Sequence, residues 1–271
     1  VIVRTLAALL IAGLIAAPVA AQTAPAAKPD AGQAGKAETF EPQSGQSGKD
    51  VIWVPTPQVV VDKMLEIAKV TPKDYVIDLG SGDGRTVITA AKLGARALGI
   101  EYNPDMVAYS KRQAEAAGVT ARASFMKADL FKTSFSQATV VTMFLLTDIN
   151  LKLQPKILAL KPGTRIVSNT FEMGDWEPDA QADLAGQPGC ESSYCKVLHW
   201  VVPQKVAGTY RVKQGEVTLK QEFQMLTGSM SQDGATRPLT GRVRGTEIEI
   251  TAGDKKYRGR LSGGKLTLRE G

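Results

Sequence analysis

The sequence predicts an α/β fold, a mostly parallel sheet flanked by helices, with a C-terminal antiparallel β-meander extension. Three observations predict it. Short apolar runs alternate with helix-period segments from residue 57 to about residue 202; a glycine cluster joins the first run to its helix; beyond Pro203 a two-residue alternation takes over. Strands that alternate with helices pair in parallel through right-handed crossovers, whereas alternating strands separated by Gly-rich turns pair with their chain neighbours.

The elements follow in order. Thr56-Pro57 reads as an N-cap and a proline at the first helical position, and Val60, Met64, Leu65 and Ala68 supply an apolar helical face. Residues 75–79 form a short apolar strand, and residues 86–93 a helix after the glycines. Residues 95–101 are a strand, 104–117 a helix closed by Gly118, and 121–128 a third strand. A buried strand is expected over 139–145, then a helix over 149–160 containing Pro155 and stopped by Lys161-Pro162-Gly163. Strands over 164–169 and 196–202 complete the series. In the extension, 216–220, 247–250 and 265–269 alternate as half-buried strands do.

The amino-terminal part reads differently. Arg4, an apolar run from Leu6 to Ala17 and Val19-Ala20-Ala21 before Gln22 have the order of a signal peptide over 1–21, too short an apolar run to span a membrane. Cleavage is expected near Ala21-Gln22, with an uncleaved anchor, and membrane contact through it alone, as the alternative. The implied location is the periplasm or cell envelope. Residues 22–50, rich in Ala, Gly, Pro, Gln and Ser, are expected to be a disordered linker, since they bury too little to offset ordering. The main domain is then 51–203 and the β-rich extension 204–271.

The chain of 271 residues carries a formal charge of +6, but its basic residues are interspersed with acids, without the aromatic interleaving of a nucleic-acid surface, so nucleic acid is not the expected partner. Cys190 and Cys195 either close a small disulfide loop or remain free. With His199 they fall short of the four ligands of structural zinc, so no metal is expected; His199, between Leu198 and Trp200, reads as a structural histidine on a strand.

The chemistry concentrates at strand ends. Asp78-Leu79-Gly80-Ser81-Gly82-Asp83-Gly84-Arg85 lies between the first strand and its helix, where glycines admit close backbone approach and helix amides favour a negative group. The third glycine falls one residue early for a dinucleotide fingerprint. Glu101 ends the second strand, placed to accept from a ribose diol, and Asp129 ends the third, placed to accept from an adenine amino group. Acids at successive carboxyl ends converge on one crevice.

With Asp78, Gly80, Gly82, Gly84, Glu101 and Asp129 in this pattern, residues 51–203 resemble the seven-stranded S-adenosylmethionine-dependent methyltransferases, a Rossmann-like methyltransferase fold. Val54-Pro55-Thr56-Pro57, the Asp78 to Arg85 string, Glu101-Tyr102-Asn103-Pro104, Asp129-Leu130 and Val167-Ser168 through Trp176-Glu177-Pro178 are similar to a narrower group, the protein-lysine methyltransferases related to the mitochondrial enzymes acting on ATP synthase and on the adenine nucleotide translocase. The resemblance implies S-adenosyl-L-methionine as cofactor. Asp78, Gly80, Ser81, Gly82, Gly84, Glu101 and Asp129 would hold it, Asp78 facing its amino group.

The expected activity is N-methylation of a protein lysine. The alternatives are methylation of a small molecule or lipid, or a non-catalytic envelope binding protein retaining the cofactor fold. After the fourth strand the chain has Thr142-Met143-Phe144-Leu145-Leu146-Thr147 in place of an Asn-Pro-Pro-Tyr or Asp-Pro-Pro-Tyr clamp, an apolar wall suited to a neutral amine or simply a buried strand end. No side chain is assigned as catalytic, because methyl transfer is a displacement that needs orientation and desolvation more than a protein nucleophile. Trp53, Phe144, Phe171 and Trp176 are the candidates to line the acceptor pocket, as aromatic faces favour cations.

Overall fold

In a computed structural model the described residues are Val1 and 40–271; residues 2–39, with the expected signal peptide and most of the expected linker, lie outside them. Helix α1 (Gln58–Ile67) precedes strand β1 (Tyr75–Leu79), α2 (Arg85–Lys92), β2 (Arg96–Glu101), α3 (Pro104–Ala116) and β3 (Ala123–Lys127). Then come β4 (Val140–Met143), α4 (Thr147–Leu158), β5 (Arg165–Asn169), β6 (Ala180–Asp183) and β7 (Lys196–Val201). The sheet order is β3-β2-β1-β4-β5-β7-β6, with β1 to β5 parallel and β7 antiparallel to both neighbours. Because β2 and β4 flank β1 on opposite sides, the strand order reverses there and opens a crevice beyond the carboxyl ends.

The local reasons are those of the sequence, with one shift. Asn103 caps α3 by accepting from the Asp105 amide at 2.9 Å, with Pro104 at the first helical position. At α1 the cap position is Pro57, and Thr56 instead is buried with its carbonyl accepting from Arg85 at 2.8 Å. Two apolar layers sandwich the sheet. One packs Val60, Met64, Val87, Ala91 and Phe125 under α1 to α3; the other packs Ile149, Leu153 and Ile157 of α4 with Phe135, Trp176 and Trp200.

Residues 208–270 form a second, seven-stranded sheet in simple chain order: β8 (Gly208–Val212), β9 (Gly215–Glu222), β10 (Met225–Gln232), β11 (Ala235–Arg244), β12 (Glu247–Ala252), β13 (Lys255–Ser262) and β14 (Lys265–Glu270). It curls until β14 returns beside β8, where Gln214 Nε2 donates to the Leu268 carbonyl at 3.2 Å. The curl needs backbone contact without side chains at Gly228 and Gly259, where a Cβ would stand 1.9 Å from the Thr218 oxygen and 2.0 Å from the Thr267 oxygen. Val217, Leu226, Val243, Ile250, Tyr257 and Leu266 fill its interior.

The curled sheet docks on the β6–β7 side of the first. Arg242 pairs at 2.7 Å with Asp179, whose buried carboxylate also accepts from the Val201 amide; Gln224 donates to the Glu177 carbonyl; Phe223 stacks on Trp176 at 6.0 Å. Among the described residues, none of 204–271 lines the crevice.

Candidate active site

Strand β1 delivers Asp78 to the rim of the crevice, and the chain then turns over the end of β2. The Gly80 and Ser81 amides both donate to the Ile100 carbonyl, and the buried Ser110 hydroxyl pins the loop through the Gly82 carbonyl at 2.9 Å. Gly80, Gly82 and Gly84 all take positive φ, at 75°, 52° and 83°. A Cβ on Gly82 would lie 2.3 Å from the Trp53 indole nitrogen, so glycine lets that ring lie on the loop.

The acids are held differently. Asp78, 6% exposed, accepts from the Thr142 hydroxyl of β4 at 2.6 Å. Burial, opposed by that hydrogen bond and aided by Asp83 and Glu101, pushes its carboxyl up to about 7. Glu101 receives the Gly82 amide on one oxygen at 3.0 Å and the Asn103 amide on the other at 2.9 Å, which ties the loop to the end of β2. Asp129 accepts from the Phe131 amide at 2.9 Å and pairs with Lys49 at 3.2 Å; the amide holds its carboxyl below the usual range, with the lysine adding to the effect.

All seven residues expected to hold the cofactor lie together at this end of the sheet, and six of them border one cavity of about 390 Å³; Gly84 stands behind it against Phe125 and Ser110. That volume suits a small cofactor with space for the tip of an acceptor. Trp53, Phe144 and Phe171 border it as well. Trp176 does not. It is fully buried between Trp200 and Phe223, and its carbonyl accepts from the Trp200 indole at 2.6 Å, so its place in the expected acceptor pocket is corrected to the joint between the two sheets.

Three features emerge only in the folded chain. Residues 40–50 belong to the compact unit rather than to a linker: Phe40 accepts from Arg112, and the 43–53 segment folds back on itself through Gly45–Trp53 and Trp53–Gln46 backbone bonds. Its tip puts the Lys49 ammonium over the rings of Tyr102 and Phe131, at 5.1 and 5.6 Å. Thr142, part of the expected apolar wall, instead holds Asp78. Tyr194 lies among Phe144 and Phe171, ring centroids 5.2 and 6.0 Å away, on a loop closed by a Cys190–Cys195 disulfide. Lys49 and Tyr194 each had a weak signal, a charge just before the Val51-Ile52-Trp53-Val54 run and an aromatic beside a cysteine. His199 lies buried on β7 with neither ring nitrogen paired among the described residues, and desolvation lowers it to about 4.

The family described as the ANTKMT methyltransferase domain matches residues 78–180. A protein-lysine N-methyltransferase of Saccharolobus islandicus (strain REY15A) is 52% identical over 131 residues, covering 47% of this chain and 81% of the relative. The adenine nucleotide translocase lysine N-methyltransferase of Mus musculus is 36% identical over 122 residues, covering 44% of this chain and 53% of the relative. The chain thus spans most of the archaeal relative but about half of the murine one. A crystal structure of an RNA methyltransferase from Salinibacter ruber in complex with S-adenosyl-L-homocysteine is similar with 46% identity and a TM-score of 0.52, over 56% of this chain and 96% of that one.

Proposed function

The chain belongs to the S-adenosylmethionine-dependent methyltransferases of the ANTKMT type, and from that premise we propose that its acceptor is the side-chain nitrogen of a protein lysine. The similarity to the Saccharolobus protein-lysine N-methyltransferase, over four fifths of that protein, carries the reading. The apolar rim of Phe144, Leu145, Leu146 and Phe171 beside the glycine loop supports it.

The residues present fit the cofactor. Asp78 offers a buried carboxylate to an ammonium, the Gly80 to Gly82 turn gives close backbone approach, and Ser81 brings a buried hydroxyl with no partner among the described residues. Glu101 keeps free lone pairs for a ribose diol, and Asp129 for an exocyclic amine. When bound, S-adenosylmethionine supplies an electrophilic methyl group on a sulfonium with a neutral leaving group. The chain's part is to exclude water and hold the acceptor in line. Apolar walls also disfavour the charged form of an amine, which helps the lysine reach the neutral state that attacks.

The Salinibacter structure favours RNA as a second acceptor. Against it, acids and bases are nearly balanced over 40–203, and the chain's positive excess lies in the extension, away from the crevice. The proposal extends to an oxidising compartment, periplasm or envelope, which the disulfide and the signal-like pattern of 1–21 support.

The test is transfer of labelled methyl to polylysine and to an envelope protein fraction, with acid hydrolysis of the products. Label in Nε-methylated lysine is the expected result. Label confined to RNA or to low-mass compounds would overturn the lysine assignment.

A further inference from the structure

Strand β7 runs antiparallel to β5, so its start at Lys196 lies beside the end of β5, and the β6–β7 loop is carried to the crevice side of the sheet. The Lys196 carbonyl accepts from the Thr170 amide at 2.6 Å, which locks this edge. Within the loop, Cys190 and Cys195 are each 3% exposed and packed in the apolar layer under α1, with the Cys195 carbonyl accepting from the Leu184 amide. The residues between them, Glu191, Ser192 and Ser193, are exposed, and Tyr194 is half-buried at the crevice. A short loop that is outwardly polar is thus tethered at both ends in the core and presents one aromatic ring.

That ring completes a group. Phe144 follows β4, Phe171 follows β5 and Tyr194 precedes β7, three chain segments meeting with centroids 5.2 to 6.0 Å apart, and all three border the cavity. Phe144 and Phe171 stack at an interplanar angle of 25°, while Tyr194 meets Phe144 edge-on at 61°. Such a set gives apolar walls to an aliphatic stem and ring faces to an ammonium. Ordinary core packing does not account for Tyr194, since Glu191, Ser192 and Ser193 before it face solvent and its ring borders the cavity.

We propose that Tyr194 is a specificity-determining wall of the acceptor site, and that the Cys190–Cys195 disulfide is the device that positions it. This rests on the lysine reading above. Opening the disulfide frees the exposed residues from their second anchor and withdraws the ring, so acceptor binding weakens while the cofactor end, built from β1 to β3, is unchanged.

The experiment is steady-state methylation of polylysine by the full chain, with S-adenosylmethionine affinity measured in parallel by calorimetry. Tyr194→Ala raises the KM for polylysine on the order of tenfold, the size expected of one lost cation–aromatic face, and leaves cofactor affinity within about twofold. Tyr194→Phe restores the wild-type KM. Cys190→Ala/Cys195→Ala, or wild type reduced with dithiothreitol, raises KM in the same direction and adds nothing on top of Tyr194→Ala. Should the cysteine variant lose its thermal transition, reduction of the folded wild type decides the disulfide's part, and the variants of the half-buried Tyr194 decide that of the ring. Lysine methylation with an unchanged KM in Tyr194→Ala overturns this inference and leaves the lysine reading standing. Absence of any Nε-methyl-lysine with wild type, on polylysine and envelope protein alike, overturns both.

Discussion

Replacing Asp78 by Asn separates what this residue costs the fold from what it contributes to binding. Its carboxyl is raised from the ordinary 3.8 to about 7, chiefly by burial. Between those values the folded chain holds a proton that the unfolded chain has released, so stability without cofactor falls as pH rises through that window. At about 1.4 kcal/mol per tenfold, the full displacement amounts to about 4 kcal/mol, an upper bound reached above pH 7. Asn keeps an oxygen to accept from the Thr142 hydroxyl and carries no charge. Asp78→Asn is therefore expected to be the more stable protein at pH 8, by a few kcal/mol, and equal to wild type near pH 4. The binding side has the opposite sign. Wild-type affinity for S-adenosylmethionine, which needs the carboxylate, falls about a hundredfold from pH 8 to pH 5, whereas the variant binds weakly and with little pH dependence. Urea unfolding and calorimetric titration across pH 4–8 measure both. A variant no more stable than wild type at pH 8, or a wild-type affinity flat across that range, would refute the reasoning.

Other perturbations read other parts. Gly82→Ala puts a side chain at φ 52° against the Trp53 indole; left-handed backbone costs roughly 1–2 kcal/mol, and displacing the ring adds to that, so calorimetry shows cofactor affinity reduced tenfold or more. Trp176→Ala empties the joint between the sheets and costs ~3–5 kcal/mol in urea unfolding, without a selective effect on acceptor KM; such an effect would return Trp176 to the acceptor site. Arg242→Ala leaves the buried Asp179 carboxylate with the Val201 amide alone. About 2 kcal/mol of stability is lost, less than for a fully buried pair because Arg242 itself is partly exposed, and the loss shows as a lower urea midpoint.

Much of the crevice was legible because its signals are local. Asp78, Glu101 and Asp129 each follow an apolar strand directly, and strand ends in an alternating α/β pattern converge whatever lies elsewhere. What escaped depends on partners distant in sequence. Strand β6 is Ala180–Asp183, an edge of four residues whose Ala-Gln-Ala-Asp alternation is too short and too weakly apolar to mark a strand, defined by its pairing with β7. In the curled sheet, β9, β12 and β14 show the alternation visible in the sequence, whereas β10 and β11 contain Gly228, Pro238 and Gly241, residues that argue locally against a strand. Pro238 is tolerated opposite Ser229 because it lies just outside the β11–β12 pairing, which begins at Leu239. Residues 40–50 lack the apolar content to order themselves, and they gain order from contacts with the finished domain, such as Arg112 with Phe40 and Asp129 with Lys49. Trp176 and Phe171 lie five residues apart in similar company, and only the return of Phe223 from the second sheet claims one for the joint.

The five acids bordering the crevice are compensated unequally, and the inequality bears on what binds there. Asp83 has Arg85 at 2.6 Å, Asp50 and Asp129 share Lys49, Asp129 with a backbone amide besides, and Glu101 has two amides. Asp78, the most buried of them, has one hydroxyl and no cation among the described residues. A carboxylate so placed is costly in the free chain and strongly attractive to a positive group entering the cavity, because the cation restores the ionised form and recovers the desolvation cost together. A neutral or anionic nucleotide gains nothing at Asp78. A ligand with an ammonium beside a sulfonium gains there and at the aromatic walls, so the charge arrangement selects the methyl donor before any acceptor arrives.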